Sequence, residues 1–403
     1  MHPDYANVSY YPNYEEYAAR NNNRLDDGSI DQTLPPGFPR LLNSKMVWEG
    51  ESFSPHEHTS SDGTECILEL NGSQVAEIDA ALKHFQALKR PLSELSPSTF
   101  PLPLLHPNLR SVSENLHKGY GFTFIRGVPV DKYNAEENMI IYVGISSHIG
   151  CVRGRQDKSF EGNPADVMVA HIADFRHPEG DDKMVIPAYT DGEVPFHTDL
   201  GNIVSLFTLS EPVTGGETVL ASSWRVYNEL ARTRPDLIRV LANEWDIPSA
   251  SKDAVVRRLP LLFYQSPHDA APERIIIQFS RRSFSKLSAN PLSKPLTEAQ
   301  RDALDALHFL AKKFQVSIPL KKGDMQFINN LSIVHARSSY VDDSTHRRHL
   351  LRLWLWDPEN SWEIPNQLRH RWDSLYDPAS SHGPQVFPLH PTARSMATVQ
   401  NRT

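Results

Sequence analysis

Seven short β-prone segments follow one another between residues 194 and 356, and this pattern limits the possible fold more than any other feature. Most of them are short runs rich in β-branched and aliphatic residues, which is typical of strands that line a core. The predicted strands cover residues 194–199, 204–209, 218–221, 275–279, 326–328, 332–337 and 348–356. Helical segments interrupt the series near residues 226–241 and from Thr297, where Thr-Glu-Ala-Gln forms a capping box. A β-rich core with helical insertions is expected.

The part of the chain before these strands is predicted to be mainly helical. Apolar residues recur at helical spacing over 75–85, with Ser73 as the predicted N-cap. A second helix over 109–116 leads into a strand at 122–125, and a third helix fits 135–149. Together the elements predict an all-β core with an α flank, arranged as a double-stranded β-helix, or jelly roll, with a helical N-terminal region.

The chain has 403 residues, enough for one large or two moderate domains. We expect a single domain over residues 46–365, with the jelly-roll core at about 120–360. Residues 1–45 are rich in Tyr, Asn and Pro without periodicity and predict an N-terminal arm. Residues 366–403 are polar and contain proline, so they predict a C-terminal surface extension.

Composition narrows the classes of partner. The net charge is −8 without a sustained basic block, which argues against nucleic acid and anionic membrane surfaces as partners. No apolar run approaches a membrane span, and the first residues lack the features of a secretory signal. Cys66 and Cys151 are too few for a disulfide scaffold, so a reduced, cytoplasmic setting is expected. The oligomeric state, monomer or homodimer, is left open.

The tripeptide His197-Thr198-Asp199 lies in the first predicted strand. Alternation along a strand would point both ligand-type side chains to the same face. Two histidines and one carboxylate, with other positions open, form the ligand set of non-haem Fe(II) oxygenases. The same His-x-Asp/Glu pattern begins at His2 and at His177, but one lies in a polar terminus and the other in a charged turn. Strand context therefore favours His197.

A third ligand is expected from the strand that contains His335. Its rivals are His346, in a turn, and His349, which shares a strand face with Leu351 and is expected to be a packing residue. These expectations select His335.

The strand that follows places Arg348 and Arg352 on one inward face. Buried charges need partners, so the two guanidinium groups either form internal salt bridges or clamp carboxylates of small ligands. Next to a metal site, the second interpretation gives one arginine the far carboxylate of 2-oxoglutarate. Arg337 is expected to be a structural brace. Arg281 and Arg282 are expected to be a solvated surface pair, with a place in the pocket wall as the alternative.

Four segments together resemble one known family: His197-Thr198-Asp199, Gly215-Gly216-Glu217-Thr218, the run from Gly323 to Arg337, and Arg348 to Leu355. The chain is similar over about residues 115–360 to the taurine dioxygenase/clavaminate synthase-like (TauD/TfdA) family of Fe(II)- and 2-oxoglutarate-dependent oxygenases. Among the members of this family, the chain most resembles those from fungal specialised metabolism.

The resemblance implies a role for six residues. His197, Asp199 and His335 would be the iron ligands. Arg348 would hold the distal carboxylate of 2-oxoglutarate with help from the Thr218 hydroxyl, and Arg352 would hold an anionic group of the substrate. The implied cofactors are Fe(II), 2-oxoglutarate as co-substrate, and O2.

The implied reaction is oxidation of an unactivated C–H bond in a small, carboxylate-bearing, amino-acid-like metabolite, with release of succinate and CO2. Hydroxylation is the default outcome, and desaturation or oxidative cyclisation is the alternative. From other classes, a non-catalytic cupin-like metal-binding protein and an inactive family member serving as a scaffold stay open.

Overall fold

The computed structural model describes residues 8–26, 31–54, 57–176, 187–247, 257–268, 271–285 and 294–394. The described strands are β1 (Thr59–Ser60), β2 (Ile67–Glu69), β3 (Phe122–Arg126), β4 (Val152–Gly154), β5 (Asp157–Phe160), β6 (Asn163–Val167), β7 (Ala170–Ile172), β8 (Val194–His197), β9 (Ile203–Ser210), β10 (Thr214–Gly215), β11 (Thr218–Ser222), β12 (Trp245–Ile247), β13 (Arg257–Leu259), β14 (Leu262–Gln265), β15 (Arg274–Ile277), β16 (Val316–Ile318), β17 (Met325–Asn329), β18 (Ile333–Arg337), β19 (Tyr340–Val341), β20 (His349–Trp356) and β21 (Gln385–Val386). The described α-helices are α1 (Tyr14–Asp26), α2 (Gly72–Leu88), α3 (His106–Lys118), α4 (Ala135–Ile149), α5 (Ser223–Thr233), α6 (Pro235–Ala242), α7 (Glu298–Phe314) and α8 (Asn366–Tyr376).

Two sheets carry the core. The larger has eight strands in the order β1-β2-β3-β17-β9-β20-β4, with β7 also paired to β20. The smaller has four strands in the order β16-β11-β18-β8, all antiparallel. The prediction of a β-rich core with helices around it is confirmed, whereas the stricter double-stranded β-helix topology stays a prediction.

Alternation along β20 separates the two sides of the large sheet. Leu351, Leu353 and Leu355 pack into the hydrophobic cluster formed with helices α2, α3 and α4. Trp354 belongs to the second cluster, which also contains residues of the smaller sheet. Arg352 is one residue from two of these leucines, so it faces the second side. The helix-covered side of the large sheet is therefore structural, and its opposite side is available for a site.

Three helices begin with reciprocal capping boxes, at Asn71, Asn134 and Thr297. The Asn134 box starts α4 at the predicted residue. The prediction of Ser73 as an N-cap is wrong. The N-cap of α2 is Asn71, two residues earlier, and its side chain accepts a hydrogen bond from the Gln74 backbone N–H. The helix predicted at 226–241 is two helices. A new helix begins at Pro235, because proline lacks the N–H that an unbroken helix would need there.

The two ends of the chain contain helices that the sequence pattern did not predict. The arm contains α1, whose Tyr17 stacks on Phe309 and whose Arg20 pairs with Asp302 of α7. The C-terminal segment is not confined to the surface, because Leu368 and Trp372 of α8 are buried in the core. Both segments offer apolar side chains on only one helical face, and the composition of the whole segment hides that stripe.

Within the described residues, none of the helices has the length and apolar character needed to cross a membrane.

Candidate active site

The three predicted metal ligands lie together. The ligand-type atoms of His197, Asp199 and His335 are all within 4.8 Å of one another. The two imidazole centroids are 4.3 Å apart, and His197 Nε2 lies 4.0 Å from Asp199 Oδ1. The three side chains come from two neighbouring strands of the smaller sheet and the turn after one of them.

Strand pairing brings the two histidines together. His335 of β18 is the register partner of His197 of β8, and a bulge follows between His335 and Arg337. β8 ends at His197, so the predicted strand through residue 199 is two residues too long. Asp199 therefore approaches from a turn rather than by strand alternation.

That turn is fixed by hydrogen bonds from two sides. Thr198 exchanges bonds with Phe279, its N–H donating to the Phe279 carbonyl at 2.7 Å and its hydroxyl accepting from the Phe279 N–H at 2.9 Å. The Asn330 side chain accepts from the Asp199 N–H and donates to the Asp199 carbonyl, both at 2.8 Å. Asn330 is fully buried. No motif in the sequence gives Asn330 a role. Its place beside a predicted core strand does indicate a structural hydrogen bond, because buried polar groups need partners.

Further contacts orient the ligand atoms. His197 Nδ1–H donates to the Pro195 carbonyl at 2.9 Å, which leaves the Nε2 lone pair for a metal ion. Asp199 Oδ2 accepts from Arg352 Nη1 at 2.8 Å and from Trp354 Nε1 at 3.2 Å. These bonds leave Oδ1 as the oxygen that faces His197.

The protonation states suit a divalent cation. Burial lowers the pKa of His197, and it is also the largest cause that lowers the pKa of His335 to about 3. For Asp199, burial opposes ionisation, but the pKa is lowered all the same, and the charge of Arg352 is the largest of the effects that lower it. Two neutral imidazoles and one carboxylate are the forms that bind metal.

Arg352 has a different partner from the one expected. The sequence expectation was a guanidinium available to the substrate. In the structure its Nη1 donates to Asp199, and its Nε and Nη2 both donate to Gln156 Oε1 at 3.1 Å. Arg352 thus forms an internal salt bridge, the alternative that the sequence left open.

Arg348 lies at a small cavity of about 80 Å³ next to the triad. The cavity is also lined by Thr218 and by His197, Asp199 and His335. Arg348 is buried, and within the described residues its Nη1 has no hydrogen-bond partner. Its Nη2 makes only a long contact of 3.4 Å with the Gly216 carbonyl. Burial, with the nearby charge of Arg337, lowers the pKa of Arg348 to about 9.

Gly216 allows the loop before β11 to approach Arg348. Its φ is +76°, and a Cβ there would lie 2.8 Å from Arg348 Nε. Any other residue would be strained and would push the guanidinium away. The Gly-Gly pair is thus more than a generic turn.

A second cavity, of about 170 Å³, is also lined by His197 and Asp199. Tyr10 of the N-terminal arm lines it, and so do Arg371 of α8 and Arg394 of the C-terminal segment. Arg281 and Arg282 line it as well, so the expected solvated surface pair is wrong. Sequence analysis assigned Arg371 and Arg394 no role, because nothing local distinguishes them from surface arginines.

The rival histidines lie away from the triad. His349 forms a 2.8 Å hydrogen bond with His171, as expected for a packing histidine, and His346 is exposed. Arg337 braces the segment before β8 through its Nη2–H, which donates to the Thr190 carbonyl at 2.7 Å and also to the Gly192 carbonyl. The patterns at His2 and His177 lie outside the described residues.

Comparison with known proteins agrees with this geometry. Residues 85–354 match the family model described as taurine catabolism dioxygenase TauD, TfdA family. A taurine hydroxylase-like protein SAT17 of Stachybotrys chartarum is 35% identical over 364 residues, covering 87% of this chain and 89% of the relative. FR-33289 synthase of Streptomyces rubellomurinus is 24% identical over 325 residues, covering 77% and 91%.

Among solved structures, asparagine oxygenase with Fe(II), 2S,3S-3-hydroxyasparagine and succinate shares the fold. The TM-score is 0.56 at 15% identity, and the match covers 79% of this chain and 99% of that one.

Proposed function

Because this chain belongs to the TauD, TfdA family, it is an Fe(II)- and 2-oxoglutarate-dependent oxygenase, and we propose that it oxidises a C–H bond of a small anionic, amino-acid-like metabolite. In this proposal His197, Asp199 and His335 hold the iron. Arg348 and Thr218 hold the distal carboxylate of 2-oxoglutarate in the smaller cavity, and the substrate occupies the larger one.

The residues of the chain fit these groups. Two nitrogens and one oxygen on one side of a site, with the rest open, suit Fe(II). The chemistry that iron, 2-oxoglutarate and O2 supply when bound is oxidative decarboxylation to succinate and CO2, coupled to oxidation of a substrate C–H bond.

The chain itself supplies geometry. Pro195 fixes the ring orientation of His197, and Arg352 with Trp354 fixes Asp199 as a ligand through a single oxygen. Arg352 is therefore proposed as a positioning residue rather than as the substrate's partner. Phe196 and Phe279 give the larger cavity part of its apolar lining, which limits the entry of water beside the triad.

The observation that carries the proposal is the guanidinium of Arg348, whose buried Nη1 has no hydrogen-bond partner among the described residues. A buried charge without an opposite charge is costly, and its position beside a three-ligand cluster fits a dianion that also chelates the metal. A cupin-like metal-binding protein needs the three ligands but has no use for this arginine.

The test is anaerobic addition of Fe(II) and 2-oxoglutarate, with detection of the metal-to-ligand charge-transfer band. We expect the band in the natural protein and its loss in Asp199→Ala and His335→Ala. His346→Ala, which removes an exposed histidine, serves as the matched control and should keep the band. A band of full intensity in Asp199→Ala would show that the triad is misassigned.

The amino-acid-like substrate rests on weaker support. The solved asparagine oxygenase holds a hydroxylated amino acid, and the larger cavity is basic. Turnover with candidate amino acids, followed by mass spectrometry, separates the outcomes: hydroxylation adds one oxygen atom, whereas desaturation and cyclisation remove two hydrogens. If no amino acid or small organic acid stimulates succinate release, the substrate class is wrong.

A further inference from the structure

The larger cavity is strongly basic for a protein with a net charge of −8. Among the described residues that line it, the charged ones are Arg281, Arg282, Arg352, Arg371, Arg394 and Asp199. Asp199 is the only carboxylate in that described lining and is also the proposed iron ligand.

Two of the five arginines are neutralised within the protein. Arg281 Nη1 pairs with Asp305 at 2.5 Å, and Arg352 pairs with Asp199 at 2.8 Å. The other three, Arg282, Arg371 and Arg394, have no carboxylate within 4.0 Å in the part of the chain that the structure describes. We call these three residues the cationic wall.

None of these three side chains forms an ion pair among the described residues. For Arg394, burial disfavours the charge, but Tyr189, Asp199 and Asp157 outweigh burial and raise its pKa. Arg394 Nε donates to the hydroxyl of the buried Tyr189 at 3.2 Å. The Nε of Arg282 is buried and has no partner among the described residues. Burial and the nearby charge of Arg257 lower the pKa of Arg371 to about 10. Each of these charges would gain from an anion in the cavity.

The wall lies mainly outside the part of the chain that matches the family model. That match ends at residue 354, whereas Arg371 comes from α8 and Arg394 from the segment after β21. The part that matches the family therefore contains the proposed iron ligands, and the C-terminal segment supplies two of the three charges of the cationic wall. This division is expected of a specificity element, because ligand-binding segments vary on a common fold.

We propose that the cationic wall selects a substrate that carries at least two negative charges, as two carboxylates or as a carboxylate with a phosphonate or phosphate group. One carboxylate would leave most of the wall unpaired, and a neutral side chain would lose hydration without gaining a partner. The cavity volume of about 170 Å³ suits a small metabolite, since a cavity of roughly 150 Å³ holds benzene. This inference rests on the proposed function and names the substrate class for the same site.

The experiment uses three amino acids of one carbon skeleton: L-2-amino-3-phosphonopropanoate, L-aspartate and L-asparagine. Each is titrated into the full chain loaded anaerobically with Fe(II) and saturating 2-oxoglutarate at constant ionic strength, and the change in the charge-transfer band reports binding beside the metal. Loss of the band before any titration would refute the proposed function instead, so the two failures are distinguishable.

We expect both anionic compounds to bind more tightly than asparagine by about 10–100-fold, the range given by one or two charge-assisted hydrogen bonds. The tighter of the two distinguishes a phosphonate from a dicarboxylate. Arg371→Gln and Arg394→Gln should reduce that preference by a similar factor. Arg369→Gln, which removes an exposed arginine of the same helix, is the matched control and should keep the preference.

Two results would overturn the inference. One is asparagine binding as well as or better than both anionic compounds, which includes the case in which neither of them binds. The other is an unchanged preference in both Arg371→Gln and Arg394→Gln.

Discussion

Replacing Arg348 with methionine tests the central element of the site, because it removes one charge and keeps a long unbranched side chain. The guanidinium offers Nη1, which has no partner among the described residues, and Nη2, which has only a 3.4 Å contact. Two N–H groups are thus available for a carboxylate in a bidentate arrangement.

The magnitude follows from this geometry. Truncating one partner of a buried, hydrogen-bonded charge pair costs about 2–5 kcal/mol. At about 1.4 kcal/mol per tenfold, the dissociation constant of 2-oxoglutarate should rise by roughly 30-fold to several thousand-fold.

The ligand-free protein should respond in the opposite direction. Burial lowers the pKa of Arg348 to about 9, so the folded chain disfavours this charge. An apolar side chain of similar length removes that cost. We expect the free energy of unfolding of ligand-free Arg348→Met, measured with urea, to equal or exceed that of the natural protein.

The binding assay is the anaerobic titration of the charge-transfer band, with pyruvate as the second ligand. Pyruvate keeps the keto-acid group and lacks the distal carboxylate, so Arg348→Met should bind it unchanged. Arg347→Met removes the neighbouring exposed arginine and should bind both ligands normally. Equal losses for pyruvate and 2-oxoglutarate, or a less stable ligand-free variant, would refute the reasoning.

Three further changes test other parts of the structure. Arg352→Met should lower the affinity for Fe(II) by about 10–100-fold, because it releases Asp199. Arg348→Met should leave the Fe(II) affinity unchanged, and equilibrium dialysis measures both. The reverse pattern would contradict the roles proposed for Arg352 and Arg348. Gly216→Ala should destabilise the protein by about 1–2 kcal/mol in urea and weaken 2-oxoglutarate binding by displacing Arg348, and normal binding would argue against the close approach. Burial lowers the pKa of His117 to about 4, below the value of about 6.5 expected in the unfolded chain. The contribution of neutral His117 to the free energy of unfolding is therefore complete above pH 6.5, and it is lost as the pH falls toward 4. The loss should be about 2 kcal/mol at pH 5. The free energy of unfolding, measured with urea, should therefore differ less between pH 7 and pH 5 in His117→Asn than in the natural protein. An equal difference in both would show that another group causes the pH dependence.

Much of the core could be predicted from local pattern. The strand-rich region, α4 and the Thr297 capping box follow from alternation, helical spacing and capping chemistry, all of which act within a few residues. Boundaries were less certain, and the break at Pro235 was missed because an apolar stripe continues through both helices.

The candidate site also has features that local pattern predicts and features that it does not. Alternation along the predicted strand at 348–356 was sufficient to separate His349 from Arg348, since neighbouring residues of a strand face opposite sides, although β20 itself begins at His349. The contacts of Asn330 and Gln156 could not be predicted from the sequence, because each contact joins segments that are far apart along the chain.

The sequence by itself was enough to select the three candidate ligands, because ligand chemistry and strand context are local properties. Strand periodicity did not give the approach of Asp199, which follows the end of β8. Only the tertiary structure decided which charge each arginine meets. Arg352 and Arg348 are only four residues apart, yet one pairs with Asp199 and the other has an Nη1 without a partner among the described residues. The larger cavity received Arg371 and Arg394 from a segment that composition placed on the surface. Pairing and burial depend on contacts made across the whole fold, and no local pattern encodes them.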